Sequence, residues 1–339
     1  MTMSTPVGSS RPVRVLAWAS LVANIGIVVT GGAVRLTSSG LGCPTWPRCT
    51  EDSFVPTAEF AEHGVIEFGN RLLTFVLAAI AIAFLVATIR DRVRPSVRGR
   101  REMRLWALVL FLGIPAQAVL GGITVLTGLN PFSVMGHFLL STVIIAAATV
   151  TVRRSTEHDG PRRSLVARPI QLAGYLLLSL AATVVVLGTV VTGTGPHAGD
   201  SSAVRTGFDP VMVTQLHADA VLLTVGLTIG LIVALTATHA PRSTIRAMVA
   251  LLVVEGAQGL IGYVQYFSGV PEVLVASHLL GACLFVVFAV RAVLAQRVRL
   301  PGGYLLAPAG AVTEERGAGA GGATAGAGAG RSTSPERHA

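Results

Sequence analysis

Three histidines lie inside long apolar segments, each six or seven residues after a proline that marks a turn. A residue that far into a helix lies about 10 Å below the helix end, because a helix rises about 1.5 Å per residue. The three imidazoles are therefore expected at one level of a helical bundle. Each could simply make an interhelical hydrogen bond, but imidazoles held across a bundle most often form an axial pair on a haem iron. The three are His137, His217 and His278, after Pro131, Pro210 and Pro271.

A further apolar segment carries polar side chains along one stripe. His63, Glu67 and Asn70 stand at positions i, i+4 and i+7 of the second predicted helix, which places them on one face. Because an ionisable group at membrane depth is costly, Glu67 is a functional candidate by default. The alternative is that Glu67 and Arg71, which are four residues apart, neutralise each other; both can hold at once.

Two cysteines, Cys43 and Cys49, lie in the loop between the first and second predicted helices, with five residues between them. In an oxidising compartment such a pair forms a disulfide readily. A zinc site would need about four nitrogen or sulfur ligands, whereas this loop offers two cysteines and, at its far end, His63. Cys283 lies deep in the last apolar segment, where we expect it to act as an inert small apolar residue.

An internal repeat relates the two halves of the chain. Gln117 precedes His137 by twenty residues, and Gln258 precedes His278 by the same number. Both stretches pass from an Ala-Gln pair through glycine-rich helix to a proline-containing turn, which makes a repeat the better account than chance. The similar ranges are 116–141 with 257–282 and, at the start of each half, 28–40 with 190–200.

Composition indicates the solvent in which the chain folds. Of the 339 residues 52% are apolar and 13% charged, and about twenty uncharged apolar residues suffice to cross a bilayer. The sequence therefore predicts an all-α polytopic membrane protein rather than a soluble bundle. Four helices in each half place both halves in the membrane in the same direction, as in parallel repeats. The predicted helices are 13–34, 64–89, 105–127, 132–152, 169–192, 210–238, 247–268 and 273–295.

The basic residues predict the orientation of these helices. All 26 are arginine, and 22 of them lie at the termini or in alternate connections. The opposite loops hold only Arg35, Arg48 and Arg205. By the positive-inside rule both termini are expected in the cytoplasm. The net charge of +9 is thus a topology signal with contacts to membrane lipid, and not the footprint of a nucleic-acid-binding protein.

The predicted organisation follows the repeat. It comprises a cytoplasmic N-terminal segment, a four-helix half with the cysteine loop and a substrate site, a basic cytoplasmic linker, a second four-helix half with a cofactor site, and a Gly/Ala-rich tail expected to be disordered. The respective ranges are 1–12, 13–152, 153–168, 169–295 and 296–339.

Three motifs resemble those of the haem A synthase family. They are TGGAVRLTSSGLGCPTWPRC at 30–49, IEFGNR at 66–71 and TGPHAGD at 194–200. The first is long and specific, and the resemblance extends over about residues 13–295, nearly the whole membrane domain.

The resemblance implies eight helices in two pseudo-symmetric halves. It also implies oxidation of a peripheral methyl of haem O to the formyl of haem A, for assembly of a terminal oxidase. Haem b is the implied cofactor and haem O the substrate, with haem O synthase and oxidase assembly factors as expected partners. Carried over to this chain, His217 and His278 would ligate haem b, His137 would face the substrate iron and Glu67 would be the essential carboxylate. Cys43 and Cys49 match the family's disulfide pair.

One departure from the family pattern concerns the substrate site. The family usually has histidine where this chain has Asn70, and often arginine where it has Ala218. We expect His137 to be the sole protein ligand of the substrate iron, with a His63–His137 pair as the alternative. Haem propionates are anionic, so Arg35 and Arg71 are candidates to anchor them. Glycines within 121–128 and 256–262 would let helices approach closely or make room for a flat macrocycle.

Two other classes of protein use similar features. A b-type cytochrome that only transfers electrons would need the histidine pairs but not Glu67. A parallel-repeat transporter would place polar groups at the midplane without binding haem. Neither class accounts for the cysteine-loop motif.

Overall fold

The computed structural model describes residues 8–56, 61–92 and 96–301, and these residues form eight helices long and apolar enough to cross a membrane. The chain is therefore a multi-pass membrane protein, and the all-α prediction is confirmed. The helices are α1 (Arg11–Leu36), α2 (Ala61–Arg90), α3 (Val97–Leu126), α4 (Pro131–Thr156), α5 (Arg168–Thr194), α6 (Pro210–Ala237), α7 (Arg242–Phe267) and α8 (Glu272–Leu294).

Local sequence signals explain where several helices begin. Pro131 and Pro210 are the first residues of α4 and α6, where the missing proline N–H costs nothing. The preceding Asn130 and Asp209 accept hydrogen bonds from the first-turn amides. Ser96 caps α3 in the same way, so α3 starts eight residues before its predicted position at 105. Hydropathy predicts only where the apolar stretch starts. The arginine-rich residues before it also form helix, because arginine has a high helix propensity.

The helices form two closed rings of four. Each helix packs against its two neighbours in the order α1–α2–α3–α4 and back to α1, and α5–α6–α7–α8 follows the same scheme. Between the rings, α4 packs on α8, α1 on α8 and α4 on α5. The counterpart of α1 in the second half is α5, and the counterpart of α8 in the first half is α4. The α1–α8 and α4–α5 contacts are therefore equivalent. The contacts therefore agree with two four-helix bundles related as a parallel repeat.

Turn geometry supports the same relation. Leu129 and Val270, which are 141 positions apart as are His137 and His278, both adopt positive φ, 57° and 61°. Their amides close the preceding helices by binding the carbonyls of Thr124 and Gln265 at 2.8 and 2.7 Å. Non-glycine residues seldom adopt this backbone region. Its recurrence at equivalent turns indicates that the two helix hairpins share one backbone design.

The tightly packed core of each ring fills only one end of it. We call this end the strand end, because the short sheet described below lies there, and the opposite end, which carries the cysteine loop, the disulfide end. The free thiol of Cys283 is buried in the first core. The side chains with almost no exposed surface include Val13, Phe84, Met103 and Ile145 in the first core and Leu177, Leu235, Met248 and Leu251 in the second.

Two short strands, β1 (Arg162–Ser164) and β2 (Arg297–Arg299), pair antiparallel in the described part of the chain. They join the connection after α4 to the segment after α8, and the sequence did not predict them. Beside them Arg154, 2% exposed, binds Glu102 at 2.9 Å and Asp159 at 2.7 Å. Most of the tail predicted to be disordered, from 302 onward, lies outside the described residues.

Candidate functional site

The three intramembrane histidines occupy one structural setting. Each lies on an even-numbered helix near its disulfide end, and its ring faces a glycine of the preceding helix. A methyl group placed on that glycine would lie 3.1, 3.1 or 3.6 Å from the Cε1 atom of the ring. Glycine at these positions therefore makes room for a flat ring. The pairs are Gly121 with His137, Gly188 with His217 and Gly262 with His278.

The Nδ1 atoms of His137, His217 and His278 are buried and lack a hydrogen-bond partner among the described residues. The Val184 carbonyl lies close to the His217 ring, but no bond of normal geometry forms. Leaving a buried polar atom unpaired costs about 1–3 kcal/mol. The three imidazoles thus share an unpaired Nδ1 atom, and each keeps its second ring nitrogen, Nε2, as a possible ligand.

The rings place these histidines across the bundle axis rather than side by side. His217 on α6 and His278 on α8 belong to helices on opposite sides of the second ring, and the two imidazoles lie within electrostatic range of each other. In the first ring His137 on α4 lies across from α2, which carries Glu67 and Asn70. The second ring thus offers two opposed imidazoles, and the first offers one imidazole opposite a carboxylate and an amide.

This donor set suits a haem better than a bare metal ion. No group of three or more His, Cys, Asp or Glu side chains within residues 8–56, 61–92 and 96–301 is arranged to hold a metal ion. Haem iron needs only one or two protein ligands, because the macrocycle supplies the others. The opposed imidazoles on α6 and α8 supply the nitrogen ligands that haem iron takes, and they therefore fit a haem.

Asn70, at the position where the resemblance implies a histidine, is bonded to a neighbouring helix. Its Oδ1 atom accepts a hydrogen bond of 2.7 Å from Thr30 on α1, and its Nδ2 atom faces Gly31. The side chain is thus tied to the neighbouring helix. An amide held in this way is suited to line a pocket rather than to bind iron.

Glu67, 6% exposed, connects the second helix to the cysteine loop. One carboxylate oxygen accepts the backbone amide of Cys43 at 2.7 Å. The other accepts the Arg71 guanidinium at 2.6 and 3.1 Å. The predicted pairing of Glu67 with Arg71 is therefore present, and it is part of a larger loop attachment.

Arg71 uses all five of its N–H groups in this attachment. Besides Glu67, it donates to the carbonyl oxygens of Cys43, Thr45 and Arg48 at 2.9 to 3.1 Å. Because a guanidinium has five donors, none remains for a haem propionate in this arrangement. The geometry thus favours loop attachment over propionate binding as the role of Arg71.

The cysteine loop lies over the disulfide end of the first ring. Cys43 and Cys49 form a disulfide, which confirms the predicted bond and leaves neither thiol for zinc. Between them, the Trp46 ring packs directly against Gly122 of α3, the neighbour of Gly121 beneath His137. The loop therefore covers the first-ring pocket.

His63 and Arg35 lie at the disulfide end, away from the imidazole level. His63 is exposed near the start of α2, and its Nδ1 atom lies 2.9 Å from the Ser39 hydroxyl. Arg35 reaches into the second half, where it donates to the carbonyls of Thr192, at 2.7 Å, and His197. Neither side chain is brought to His137.

Sequence reasoning missed Glu255, a buried carboxyl group in the second ring. Glu255 lies in the middle of α7 with 4% of its surface exposed, and its Oε1 atom accepts a 2.9 Å bond from Thr228. The signal was available, since an acidic residue inside the predicted helix 247–268 is as costly as Glu67. It was obscured because the repeat has Ile114 at the equivalent position.

Comparison with known proteins agrees with this reading of the site. The COX15-CtaA family model, described as cytochrome oxidase assembly protein, matches residues 14–199. Similar curated proteins include the heme A synthase of Lysinibacillus sphaericus (strain C3-41), 34% identical over 138 residues, or 40% of this chain and 43% of the relative. The heme A synthase of Azorhizobium caulinodans is 27% identical over 341 residues, which span 84% of this chain and 94% of the relative.

Other alignments are more limited. The heme A synthase of Geobacillus thermodenitrificans is 34% identical over 115 residues, 33% of this chain and 32% of the relative. The chain thus spans less than half the length of the Lysinibacillus and Geobacillus proteins.

Replacement of Arg71 by lysine should release the cysteine loop. Lysine has three donors on one atom and cannot reproduce the five-bond arrangement. We expect amide hydrogen exchange in residues 43–53 to accelerate by about tenfold, since a hydrogen bond to a charged group contributes about 1.5–3 kcal/mol. Hydrogen-exchange mass spectrometry of the detergent-solubilised protein measures it.

Arg104→Lys is the matched control. Arg104 donates to the Ile89 carbonyl at 3.1 Å near the end of α2, at the strand end. Its replacement should leave exchange in the loop unchanged. Equal exchange rates in the wild type and the Arg71→Lys variant would contradict the attachment role.

Proposed function

This chain belongs to the COX15-CtaA family of cytochrome oxidase assembly proteins, and from this premise we propose that it is a haem A synthase. The proposed reaction converts a peripheral methyl group of haem O into the formyl group of haem A. The conversion is a four-electron, four-proton oxidation of the methyl carbon, and it draws on an electron acceptor and a source of the formyl oxygen outside this chain. The observation that carries the proposal is the asymmetry of the rings. One ring has imidazoles on two opposite helices, and the other has an imidazole on α4 and a buried carboxylate on the opposite helix α2.

The second ring is the proposed cofactor site. His217 and His278 would hold the iron of haem b, which supplies one-electron redox chemistry when bound. Their positions on opposite helices suit two axial ligands. Gly188 and Gly262 let the two imidazoles pack closely against the preceding helices.

The first ring is the proposed substrate site. His137 would bind the iron of haem O from α4, and Glu67 would act from α2. Because both carboxylate oxygens of Glu67 accept hydrogen bonds, the group is held in one orientation. A fixed carboxylate beside the substrate can stabilise developing positive charge or take up one of the four protons.

His137 is proposed as the sole protein ligand of the substrate iron. Asn70 is bonded to Thr30, and His63 is exposed and bonded to Ser39. His63 precedes Asn70 by seven residues, about 10 Å along the helix. This arrangement leaves one face of the substrate iron without a protein ligand. Haem O is thus the proposed substrate, with haem O synthase and terminal oxidase assembly factors as the proposed partners.

Conversion of haem O to haem A is the direct test. The host makes haem O but lacks a haem A synthase of its own. Expression of this chain there should yield haem A, identified by mass spectrometry of haem extracted from the membranes. His137→Ala and Glu67→Ala should lower the yield by about a hundredfold or more. His63→Ala should lower it by no more than about twofold, as expected of an exposed side chain.

Haem b content of the purified variants is the control, because a variant that retains haem b is still folded. If His63→Ala removes haem A formation as completely as His137→Ala while haem b is retained, the two-ligand alternative replaces this proposal. If the wild type binds haem b and never forms haem A, an electron-transfer cytochrome is the better description.

Haem b ligation has its own spectroscopic test. Two imidazole ligands make six-coordinate low-spin iron, so His217→Ala and His278→Ala should each remove the low-spin spectrum or convert it to high spin. Optical and electron paramagnetic resonance spectra of the purified protein measure this. His197→Ala is a control outside the imidazole level, since its ring binds the Val270 carbonyl at 2.8 Å. A wild-type spectrum in both ligand variants would exclude the assignment.

We further propose that both termini face the cytoplasm, with the disulfide outside. The support is the arginine distribution, because the strand end carries most of the charge. Single cysteines introduced at exposed positions test the orientation. In intact cells Ser202→Cys should react with a membrane-impermeant maleimide, whereas Thr238→Cys should react only after lysis. The reverse pattern would invert the topology.

A further inference from the structure

Two arginines from different halves of the chain meet at the disulfide end. Arg35, at the end of α1, donates to the His197 carbonyl, and Arg205, in the α5–α6 connection, donates to the adjacent Pro196 carbonyl. Arg35 also binds the Thr192 carbonyl in the last turn of α5 at 2.7 Å. The two guanidinium groups are therefore neighbours on one short stretch of backbone.

No acidic side chain among the described residues pairs with either guanidinium. The two acids nearest to Arg205 in sequence have other partners: Asp209 accepts from the Met212 amide at 2.7 Å, and Asp200 accepts from the Ser202 amide and hydroxyl at 2.8 and 2.6 Å. The NH1 atom of Arg205 is buried without any hydrogen-bond partner in the part of the chain that the structure describes. Two adjacent positive charges repel each other, and a buried unpaired donor adds a further cost. Both costs are removed by an anion bound between the two side chains.

The location indicates which anion fits. The α5–α6 connection is closed by the 2.6 Å contact of the Thr194 and Thr206 hydroxyls, so that Arg205 stands at the disulfide end of the second ring. His217 lies seven residues into α6, about 10 Å below this end. The NH1 atom of Arg205 is buried, which favours a carboxylate of a ligand held within the protein over a lipid headgroup.

We propose that Arg35 and Arg205 form a two-arginine carboxylate site that binds the propionates of the haem held by the second ring. This inference rests on the proposed function, because it needs a haem at His217 and His278. Arg35 would then serve the cofactor of the other half rather than the substrate haem of its own. Arginine suits the task because a guanidinium binds a carboxylate through two parallel hydrogen bonds.

The test compares haem b with its dimethyl ester, in which both propionates are blocked. Protein is produced in a haem-deficient host, purified without haem and titrated with each compound, and the low-spin absorbance is followed. The wild type should bind haem b about tenfold more tightly than the ester, the size expected of charge-assisted hydrogen bonds. Arg35→Gln and Arg205→Gln should each remove most of this preference.

The readout is the ratio of the affinity for haem b to the affinity for its dimethyl ester. A variant that only disorders the α5–α6 connection would weaken binding of both compounds alike and leave this ratio unchanged. Arg205→Lys, which keeps the charge, should restore part of the preference. Arg48→Gln removes an exposed arginine of the cysteine loop and should leave the ratio unchanged. The wild-type ratio alone also tests the site should the glutamine variants fail to fold.

The outcomes separate this inference from the proposed function. Absence of haem binding by the wild type would overturn the proposed function and the site with it. Haem binding with equal affinity for the ester, or variants that keep the full preference, would overturn only the two-arginine site. Titrations in neutral nanodiscs and in nanodiscs containing phosphatidylglycerol identify the anion. A preference that depends on the lipid and not on the ester would assign the arginines to a lipid phosphate and overturn the propionate assignment.

Discussion

Polar groups inside a membrane have no water to pair with, and this constraint organises the whole molecule. Helices satisfy the backbone, but they leave every polar side chain to find its own partner. Glu67 finds the Cys43 amide and Arg71, and Glu255 finds Thr228. The imidazoles at the disulfide end find no partner within the described chain. The imidazole Nδ1 atoms and the second oxygen of Glu255 thus stay unpaired within the described chain.

The same constraint divides each ring along its length. At the strand end apolar side chains fill the ring, so that the helices there are held in fixed register. At the disulfide end small residues replace large ones beside the imidazoles. The large core side chains thus lie at the strand end, and the glycines that contact the imidazoles lie at the disulfide end. The halves differ at the disulfide end, where α2 carries Asn70 and Glu67 across from the helix of His137, and in the middle of α7, where Glu255 replaces Ile114 of the first half.

Much of the fold follows from local sequence, whereas the site depends on contacts between distant segments. Run length and charge predicted each membrane helix, since the bilayer imposes both. Prolines located the histidine level because they begin the helices. The bond from Glu67 to the Cys43 amide and the reach of Arg35 into the second half depend on helix packing. The three-residue strands were missed because such short arginine-rich segments carry no period-2 signal.

The strand pair has a consequence for biogenesis. β2 lies after the last membrane helix, yet its Arg299 binds Glu102 of α3 at 2.7 Å. Glu102 also holds Arg154 from α4, so that this ionic cluster gains its last member only after α8 has been synthesised. A chain that stops after α8 would keep its membrane helices but leave β1 an unpaired edge. The strand pair and the complete ionic cluster therefore form only when the segment after α8 is present.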